Sequence, residues 1–376
     1  MGSYWLEETD QPLPRRSGSG APDVEIVGGG VTGCSCALVL AEAGLRVRLH
    51  EARAIASGAS GRNGGFALRG GAMAYDVARR QLGRDRARTY WELTEDAQRT
   101  MAALAGDAFR RVGSLRLAVD EEERTELRAE YDALVEDGFE AEWLDDPPAA
   151  LGGRFPAAVL HPPDGALQPA RWVRRLAHLA ADRGAELVEG SRVGSLDDLA
   201  AERVVVATDG LGRGLVPELD ASIRATRGQV LVTEPLPELL FERPHYARYG
   251  FDYWQQTPDR RLVVGGSRDA GRGDEWTDEE VVTDVVQQGI EALASGLLGR
   301  RPAVTHRWAG IWGTTDDLLP LVGALPANDR VWVAAGYSGH GNVLGFASGR
   351  LVARALLGER DPILDLLDPA RAVPAA

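Results

Sequence analysis

DVEIVGGGVTGCSCALVLAEAGLRVRLHE, residues Asp23 to Glu51, decides the fold. A short β-prone run at Val24 to Val27 is followed by glycines at 28, 30 and 33, an apolar helical segment, a second strand and an acid. That order is a dinucleotide-binding βαβ unit. Gly28 permits the tight turn out of the strand, Gly30 lets the backbone approach a pyrophosphate, and Gly33 lets the helix pack closely on the strand. Val31 and Thr32 open the helix, whose N-terminus meets phosphates with unpaired N–H groups and a partial positive charge. Glu51 ends the second strand, where a carboxylate accepts hydrogen bonds from a ribose hydroxyl. It also repels a 2′-phosphate, which favours FAD or NAD over NADP. A glycine triplet alone fits any Gly-rich turn; the strand before it, the helix after it and the acid in place make it specific.

The chain around this unit is 376 residues long, more than one hydrophobic core usually spans, so two structural domains are expected. The formal charge of −14, from 42 basic and 56 acidic side chains, argues against a nucleic-acid or anionic-membrane surface and for a small-molecule partner. Every basic residue is arginine. A P-loop lysine, a Schiff-base lysine and a lysine acid or base are therefore excluded. The two cysteines, Cys34 and Cys36, stand two apart on the expected first helix and point to different faces, so they neither pair nor suggest a metal site. With no apolar run long enough to span a bilayer, and a polar lead-in over the first twenty or so residues, a reduced, soluble, cytoplasmic protein is expected.

After Glu51 comes ARAIASGASGRNGGFALRGG, residues 52–71, a glycine- and serine-rich loop that must turn sharply or run close to something. Asp76 to Glu136 has helical character, interrupted by a β-like stretch at Gly113 to Val119. An amphipathic helix covers Gln168 to Arg183, and GAELVEGSRV and ERVVVATDG supply two strands, the second a buried parallel one. From Ile223 to Asp269 polar and apolar residues alternate between turn signals, as in an antiparallel sheet. Asp278 to Leu298 is expected to be helical. The strand RVWVAAG, the loop YSGHGN and a helix from about Val343 to Leu357 close the chain. The nucleotide domain is thus expected from residues 1–75, 150–220 and 305–376, with a substrate domain from 76–149 and 221–304 and the site in the cleft between them.

Eight segments carry a family resemblance: SYWLE near the start, VGGGVTG, GASGRNGGF from Gly58, RVVVATDG from Arg203, RGQVLVTEP from Arg227, YWQQTPDRRLVVGG from Tyr253, WAGIWGTTDDLLPLVG, and GYSGHGN after it. In this order they resemble the D-amino-acid oxidase superfamily of FAD-dependent oxidoreductases, in its glycine oxidase and sarcosine oxidase branch, and are similar to the γ-glutamylputrescine oxidoreductase-like group. The resemblance implies an α/β architecture: a Rossmann-like FAD-binding domain with an inserted antiparallel-sheet (α+β) substrate domain roofing the flavin. It places Ala52 and Arg53 beside Glu51 at the adenosine end, with Val193 meeting the adenine through its backbone. Ser60, Arg62, Asn63, Gly64 and Gly65 would run beside the pyrophosphate and isoalloxazine, with Ala207, Gly210 and Gly313 also against the cofactor. Gly336, Ser338, Gly339, His340, Gly341, Asn342 and Val343 would close over the pyrimidine end.

Elementary chemistry supports the last placement. Negative charge builds at flavin N1 and C2=O on reduction, and the amides of a helix beginning near Asn342 would stabilise it, with His340 adding a donor or a cation. Arg62 suits phosphate and carbonyl oxygens through its fork.

The reaction the resemblance implies is oxidation of a C–N bond. A neutral amine gives hydride from its α-carbon to flavin N5, the imine is hydrolysed, and dioxygen or another acceptor takes the electrons. Tyr253, Trp312 and His340 are the candidate catalytic residues. Tyr249, Trp254 and Tyr337 are further candidates for an aromatic enclosure, and His245, Arg227 and Arg248 for binding a carboxylate.

Three departures from the family pattern stand out. No cysteine lies in the WAGIWGTTDDLLP region, so noncovalent FAD is expected; the lysine over the flavin has no counterpart, which leaves the electron acceptor open; and only GSLDDLAAE separates Val193 from Arg203, fewer residues than the usual extra strands need. A 2-hydroxy-acid oxidoreductase on the same fold and a nonenzymatic FAD-binding subunit are the rival readings.

Overall fold

The computed structural model describes residues 2–14 and 20–373, apart from the side chain of residue 272. Its first sheet has six strands in the order Leu321–Leu325, Asn328–Ala335, Arg203–Val206, Val24–Val27, Val47–His50 and Glu186–Val188. All pairs are parallel except the one at the Leu321–Leu325 edge. Val24–Val27 sits between Val47–His50 of its own βαβ unit and Arg203–Val206 from far along the chain, with Val27 opposite His50 on one side and Val206 on the other. This is the switch point of a doubly wound sheet, where the crevice at the carboxyl ends of the strands receives a ligand.

The helix Val31–Glu42 is buried almost all round, because the helices Pro169–Asp182 and Gly341–Leu356 cover the sides that the sheet does not. Its contact with the last helix needs small residues. A Cβ on Gly349 would overlap Ser35 Oγ and Thr32 O, and one on Gly345 would come within 2.8 Å of Thr32 Oγ1.

The second sheet has eight strands, ordered Val304–Thr314, Arg224–Pro235, Arg261–Gly266, Asp252–Gln256, His245–Ala247, Ser114–Ala118, Ala157–His161 and Glu142–Leu144. The stretch expected to be antiparallel is so, but His245–Ala247 then runs parallel to Ser114–Ala118. A sheet of three short strands, Phe66–Ala67, Gly165–Leu167 and Phe109–Arg110, lies beside it.

Two boundaries expected from the sequence shift. Ala157–His161 and Val304–Thr314, expected with the nucleotide-binding segments, pair in the eight-stranded sheet. Their long-range partners, Ser114–Ala118 and Arg224–Pro235, decide this and leave no local signal. The helix expected from Asp278 begins at Asp284, because the Thr283 amide is taken by Gln229 Oε1 at 2.9 Å and the preceding segment carries Glu280 to Arg53 and Arg62. Gly83, at φ 85°, splits the long helical stretch after Tyr75.

The lead-in is not loose where it is described. Trp5 is buried and donates to Asn63 O at 2.7 Å, and Ser3 Oγ donates to Gly61 O at 2.8 Å. Met1 and residues 15–19 of that lead-in lie outside the described residues. Cys34 and Cys36 are buried and unpaired. No helix among the described residues is long and apolar enough to cross a membrane.

Alternation along the eight-stranded sheet separates two faces. Val230, Val232, Val263, Trp308 and Tyr253 face the first domain, while Leu231, Leu262, Val264 and Trp254 form a core with Ile290 and Ala294 of the helix Asp284–Leu298. His245 is sealed beside this second core. Its ring stacks on Trp254 at 5.2 Å and 5°, its Nδ1 has no partner, and burial pushes its pKa down to about 3.

The folded protein thus keeps His245 neutral at pH values where the unfolded chain, with an ordinary histidine pKa of 6.5, takes up a proton. Stability from this group is complete above pH 6.5 and falls as the pH drops toward the folded value. Between pH 7 and 5 the loss is about 2 kcal/mol. His245→Phe is expected to remove that part of the pH dependence, measured by denaturant unfolding at the two pH values.

Candidate functional site

Between the two sheets lies a cavity of about 1210 Å³. It exceeds the roughly 300–1,000 Å³ of an ordinary small-molecule pocket. At one end are the first glycine turn and the end of the second strand, and at the other the loop Tyr337–Val343 and the inner face of the eight-stranded sheet.

At the first end Gly28 turns at φ 113°. The Glu51 carboxylate accepts from the amides of Gly29 and Arg53, both at 2.8 Å, which fixes it at the wall with further lone pairs available. The helix starts at Val31, whose amide donates to Ser60 Oγ at 3.0 Å, and its first turn carries no acid. Its positive end therefore opens on the cavity without an internal anion. Val193, Ala52 and Arg53 line the same end, and Arg53 pairs with Glu280 at 2.5 Å.

At the other end the geometry is set by Asp209, which the sequence reading passed over in favour of Gly210. Its carboxylate, at the cavity wall, accepts from Gly313 N at 2.9 Å and Gly336 N at 2.8 Å. It thereby joins the end of the strand Arg203–Val206, the eight-stranded sheet and the final glycine loop. Burial pushes its pKa up while these amides pull it down. In the loop, Gly336, Ser338 and Gly339 have φ of 84°, 50° and 91°. The helix starts at Gly341, two residues before the expected Val343, again with no acid in its first turn.

His340 precedes that helix and lines the cavity. Its Nδ1 has no partner, and burial lowers its pKa to about 4. Burial thus disfavours the cationic form and leaves His340 suited to the donor role, the other of the two expected from the sequence.

Several expected contacts turn inward to the protein. Asn63 and Asn342 exchange two side-chain hydrogen bonds, both at 3.0 Å, and so clamp the first glycine loop to the last helix. Arg62 donates to Ser57 O at 2.8 Å and Ala309 O at 3.2 Å, and stands 3.7 Å from Glu280. These three line the cavity, as do Gly30, Thr32, Ser60, Gly64, Ala207, Ser338, Gly339 and Val343, but their side chains brace its wall where they are polar and paired. Gly33, Gly65, Gly210, Gly313 and Gly336 lie behind the lining. A Cβ on Gly33 would overlap Gly28 O, and one on Gly313 would come within 2.7 Å of Asp209 Oδ1.

Tyr253 and Trp312 form the aromatic part of the lining. Both rings lie against glycines: a Cβ on Gly265 would overlap Tyr253, and one on Gly228 would overlap Trp312. Glycines inside strands mark such close approaches, and this signal was legible in RGQV and LVVGG. Tyr253 packs edge-on to Phe66 at 5.7 Å, and burial pushes its pKa to about 12. Trp312 Nε1 donates to Thr314 Oγ1 at 3.1 Å.

Other sequence candidates fall elsewhere. Trp254 points to the opposite face from Tyr253, because neighbours in a strand alternate, and His245 stacks on it there. Tyr337 OH is 2.9 Å from Thr32 Oγ1 and ties the loop to the first helix. Arg227 is buried in a bidentate pair with Glu275, at 3.0 and 2.8 Å, and Arg248 pairs with Asp252 and Asp269. None of Trp254, His245, Arg227 and Arg248 lines the cavity. Tyr249 does, at its exposed edge.

The residues present fit a dinucleotide cofactor with negative charge at two separate places, because two helix starts without internal anions face one cavity and glycines form its cradle.

Comparison with known proteins agrees. The family described as FAD dependent oxidoreductase matches residues 23–355. The chain is 29% identical over 367 residues to γ-glutamylputrescine oxidoreductase of Escherichia coli (strain K12), covering 90% of this chain and 84% of that protein. It is 27% identical to glycine oxidase of Geobacillus kaustophilus (strain HTA426), covering 92% and 95%. The crystal structure of glycine oxidase from Geobacillus kaustophilus superposes with a TM-score of 0.78 at 23% identity, covering 95% of this chain and all of that one, and shows the shared fold.

Two substitutions test the architecture of the site. Gly33→Ala places a methyl group into Gly28 O and is expected to cost about 2–3 kcal/mol and to abolish flavin retention. Asp209→Asn replaces one of two acceptors by a donor facing an amide and is expected to cost about 2 kcal/mol and to loosen the flavin. Thermal melts and flavin absorbance per mole of purified protein measure both.

Proposed function

This chain belongs to the FAD dependent oxidoreductase family, and from that membership and the character of its cavity we propose that it oxidises the C–N bond of a small amine or amino acid to an imine, with noncovalently held FAD. The observation that carries the reading is the aromatic face formed by Tyr253 and Trp312 beside the start of the helix Gly341–Leu356, in a chain without lysine, where neither Tyr253 nor His340 is suited to take a proton at neutral pH. Two relatives named for γ-glutamylputrescine and glycine support an amino group as the target.

When bound, FAD would supply the hydride acceptor and the route by which the electron pair reaches dioxygen or another acceptor. Glu51 and the start of the helix Val31–Glu42 are suited to the ribose and pyrophosphate, and the amides at Gly341 and Asn342 to negative charge on the flavin. Cys34 and Cys36 are buried within the first helix, away from any role in attachment.

Tyr253 and Trp312 exclude water from the substrate. Desolvation lowers the pKa of an amine, and the neutral amine is the form that gives up hydride from its α-carbon. Tyr253 keeps its proton up to about pH 12, so it acts as a hydrogen-bonding wall and takes no proton. His340, with a pKa of about 4, is a weak base, and its free Nδ1 is suited to a hydrogen bond with ligand. Oxidation of a 2-hydroxy acid would need a base for the hydroxyl proton, and this favours the amine reading.

Anaerobic mixing of the yellow protein with amines is expected to bleach the flavin, with a rate that rises about tenfold per pH unit until the bound amine is deprotonated. Hydroxy acids are expected to leave it oxidised. Stopped-flow absorbance over polyamines, N-methyl amino acids and D-amino acids decides; if no amine bleaches the flavin, the proposal fails.

A further inference from the structure

One cross-strand row of the eight-stranded sheet leads from the aromatic wall into a second lobe of the cavity. Tyr253 pairs with Tyr246, and Tyr246 with Arg116, so the three side chains share a face. At one strand spacing per step, Tyr246 stands about 5 Å and Arg116 about 10 Å beyond Tyr253. Both line the cavity, as do Arg69, Trp91 and His161. None of Tyr246, Arg116, Arg69, Trp91 and His161 is among the residues suited to the cofactor.

The buried polar atoms of this lobe that lack partners are donors. Among the described residues, Arg69 Nε, Trp91 Nε1 and His161 Nε2 have no hydrogen bond, and their residues are 5%, 3% and 4% exposed. For His161 the neighbour decides which nitrogen carries the proton. Arg69 Nη2 lies 3.2 Å from Nδ1 and a guanidinium can only donate, so Nδ1 accepts and the proton of the neutral ring is on Nε2. Burial and the charges of Arg69 and Arg116 keep the ring neutral by pushing its pKa well below the ordinary value. The hydroxyl of Tyr246, which feels the charges of Arg116, Glu130, Asp164 and Arg69, also has no hydrogen bond among the described residues. Unmet N–H groups in such a place are costly, and a ligand that accepts from them removes the cost.

The charged groups of the lobe, in contrast, are matched. Arg69 pairs with Glu95 at 2.6 Å, and Arg116 with Glu130. Asp164 accepts from Arg69 N, Gln98 Nε2 and Ser114 Oγ, and Asp76 accepts from Arg80. A ligand ammonium here would leave the N–H groups unmet. A ligand carboxylate would stand against Glu130 and Asp164 with no unpaired cation to balance it. An uncharged carbonyl accepts hydrogen bonds and adds no charge.

We propose that this lobe is a second substrate subsite, which takes an uncharged carbonyl group such as an amide at the far end of an elongated amine whose reacting carbon lies against Tyr253 and Trp312. The two lone pairs of the carbonyl oxygen can take two of these donors, and by strand order the Tyr246 hydroxyl comes first from the aromatic wall. The subsite rests on the amine-oxidation reading for what happens at the other end of the ligand, but its occupancy can be measured without turnover.

The test titrates oxidised holoprotein calorimetrically with four amines of equal length whose nitrogen sits on a carbon without hydrogen, so that none can be oxidised: an N-acetylated diamine, an alkylamine, a free diamine and an amino acid with a terminal carboxylate. Wild type is expected to bind the acetylated diamine about tenfold more tightly than each of the others. Tyr246→Phe and Trp91→Phe each remove one donor and keep a ring. Each is expected to weaken the acetylated diamine about fivefold and to leave the alkylamine unchanged. Flavin content and melting temperature show that both variants are folded. In anaerobic reduction by the oxidisable counterparts, the same variants are expected to raise the half-saturating concentration of the acetylated diamine with the limiting rate unchanged. If wild type binds the acetylated diamine no better than the alkylamine, or if neither variant weakens it, the subsite is overturned. Tighter binding of the amino acid or the free diamine overturns the assignment to an uncharged group. If the acetylated diamine is preferred through Tyr246 and Trp91 while no amine bleaches the flavin, the subsite stands and the oxidation reading falls.

Discussion

A single carboxylate at the cavity wall ties the two sheets to each other. Asp209 takes the amides of Gly313 and Gly336, one from the long strand of the substrate sheet and one from the loop that leaves the nucleotide sheet. Its own residue follows the strand Arg203–Val206. Each of these chain ends would otherwise bury an unpaired N–H, and no neutral side chain offers two acceptors in so small a space. The consequence is geometric: the loop with three left-handed residues and the helix start at Gly341 are fixed opposite Trp312. The Asn63–Asn342 amide pair then brings the first glycine loop to the same place. Segments nearly three hundred residues apart in the chain form one surface because a few polar groups can be satisfied only by one another.

Glycine supplies the second constraint. At Gly33 and Gly349 it allows backbone to approach backbone, and at Gly228, Gly265 and Gly64 it allows an aromatic ring to lie against a strand or loop. The first kind decides how closely the nucleotide domain packs, and the second decides where the aromatic wall stands. Both explain why glycine-rich stretches recur in a protein whose architecture is otherwise regular.

How much of this is legible in the sequence depends on whether the signal is local. The βαβ unit, the helix after Pro169 and the loop at Tyr337 to Asn342 are local patterns, and the structure has them where the sequence puts them, within two residues. The sheet to which Ala157–His161 or Val304–Thr314 belongs depends on partners far along the chain, so no local pattern near residues 150 or 305 carries it. Strand alternation was legible at Tyr253 and Trp254 and should have separated them, since adjacent residues cannot share a face. The pairing of Arg227 with Glu275 was not legible, because nothing in RGQVLVTEP announces an acid 48 positions later.

The absence of lysine sharpens the physical meaning of each arginine. A lysine ammonium can shed its proton on burial and remain in an apolar wall as an amine, whereas guanidinium keeps its charge and must find acceptors. In this chain the requirement is met at Arg227, Arg248, Arg53 and Arg62 by carboxylates or carbonyls of other residues. Arg268 is held instead by three ring faces, which attract its charge but accept none of its N–H groups. Ring faces fix the plane of a guanidinium while leaving its edge free. The charge that makes arginine a fastener at those four positions is held at Arg268 by aromatic faces alone among the described residues, on the wall of the cavity.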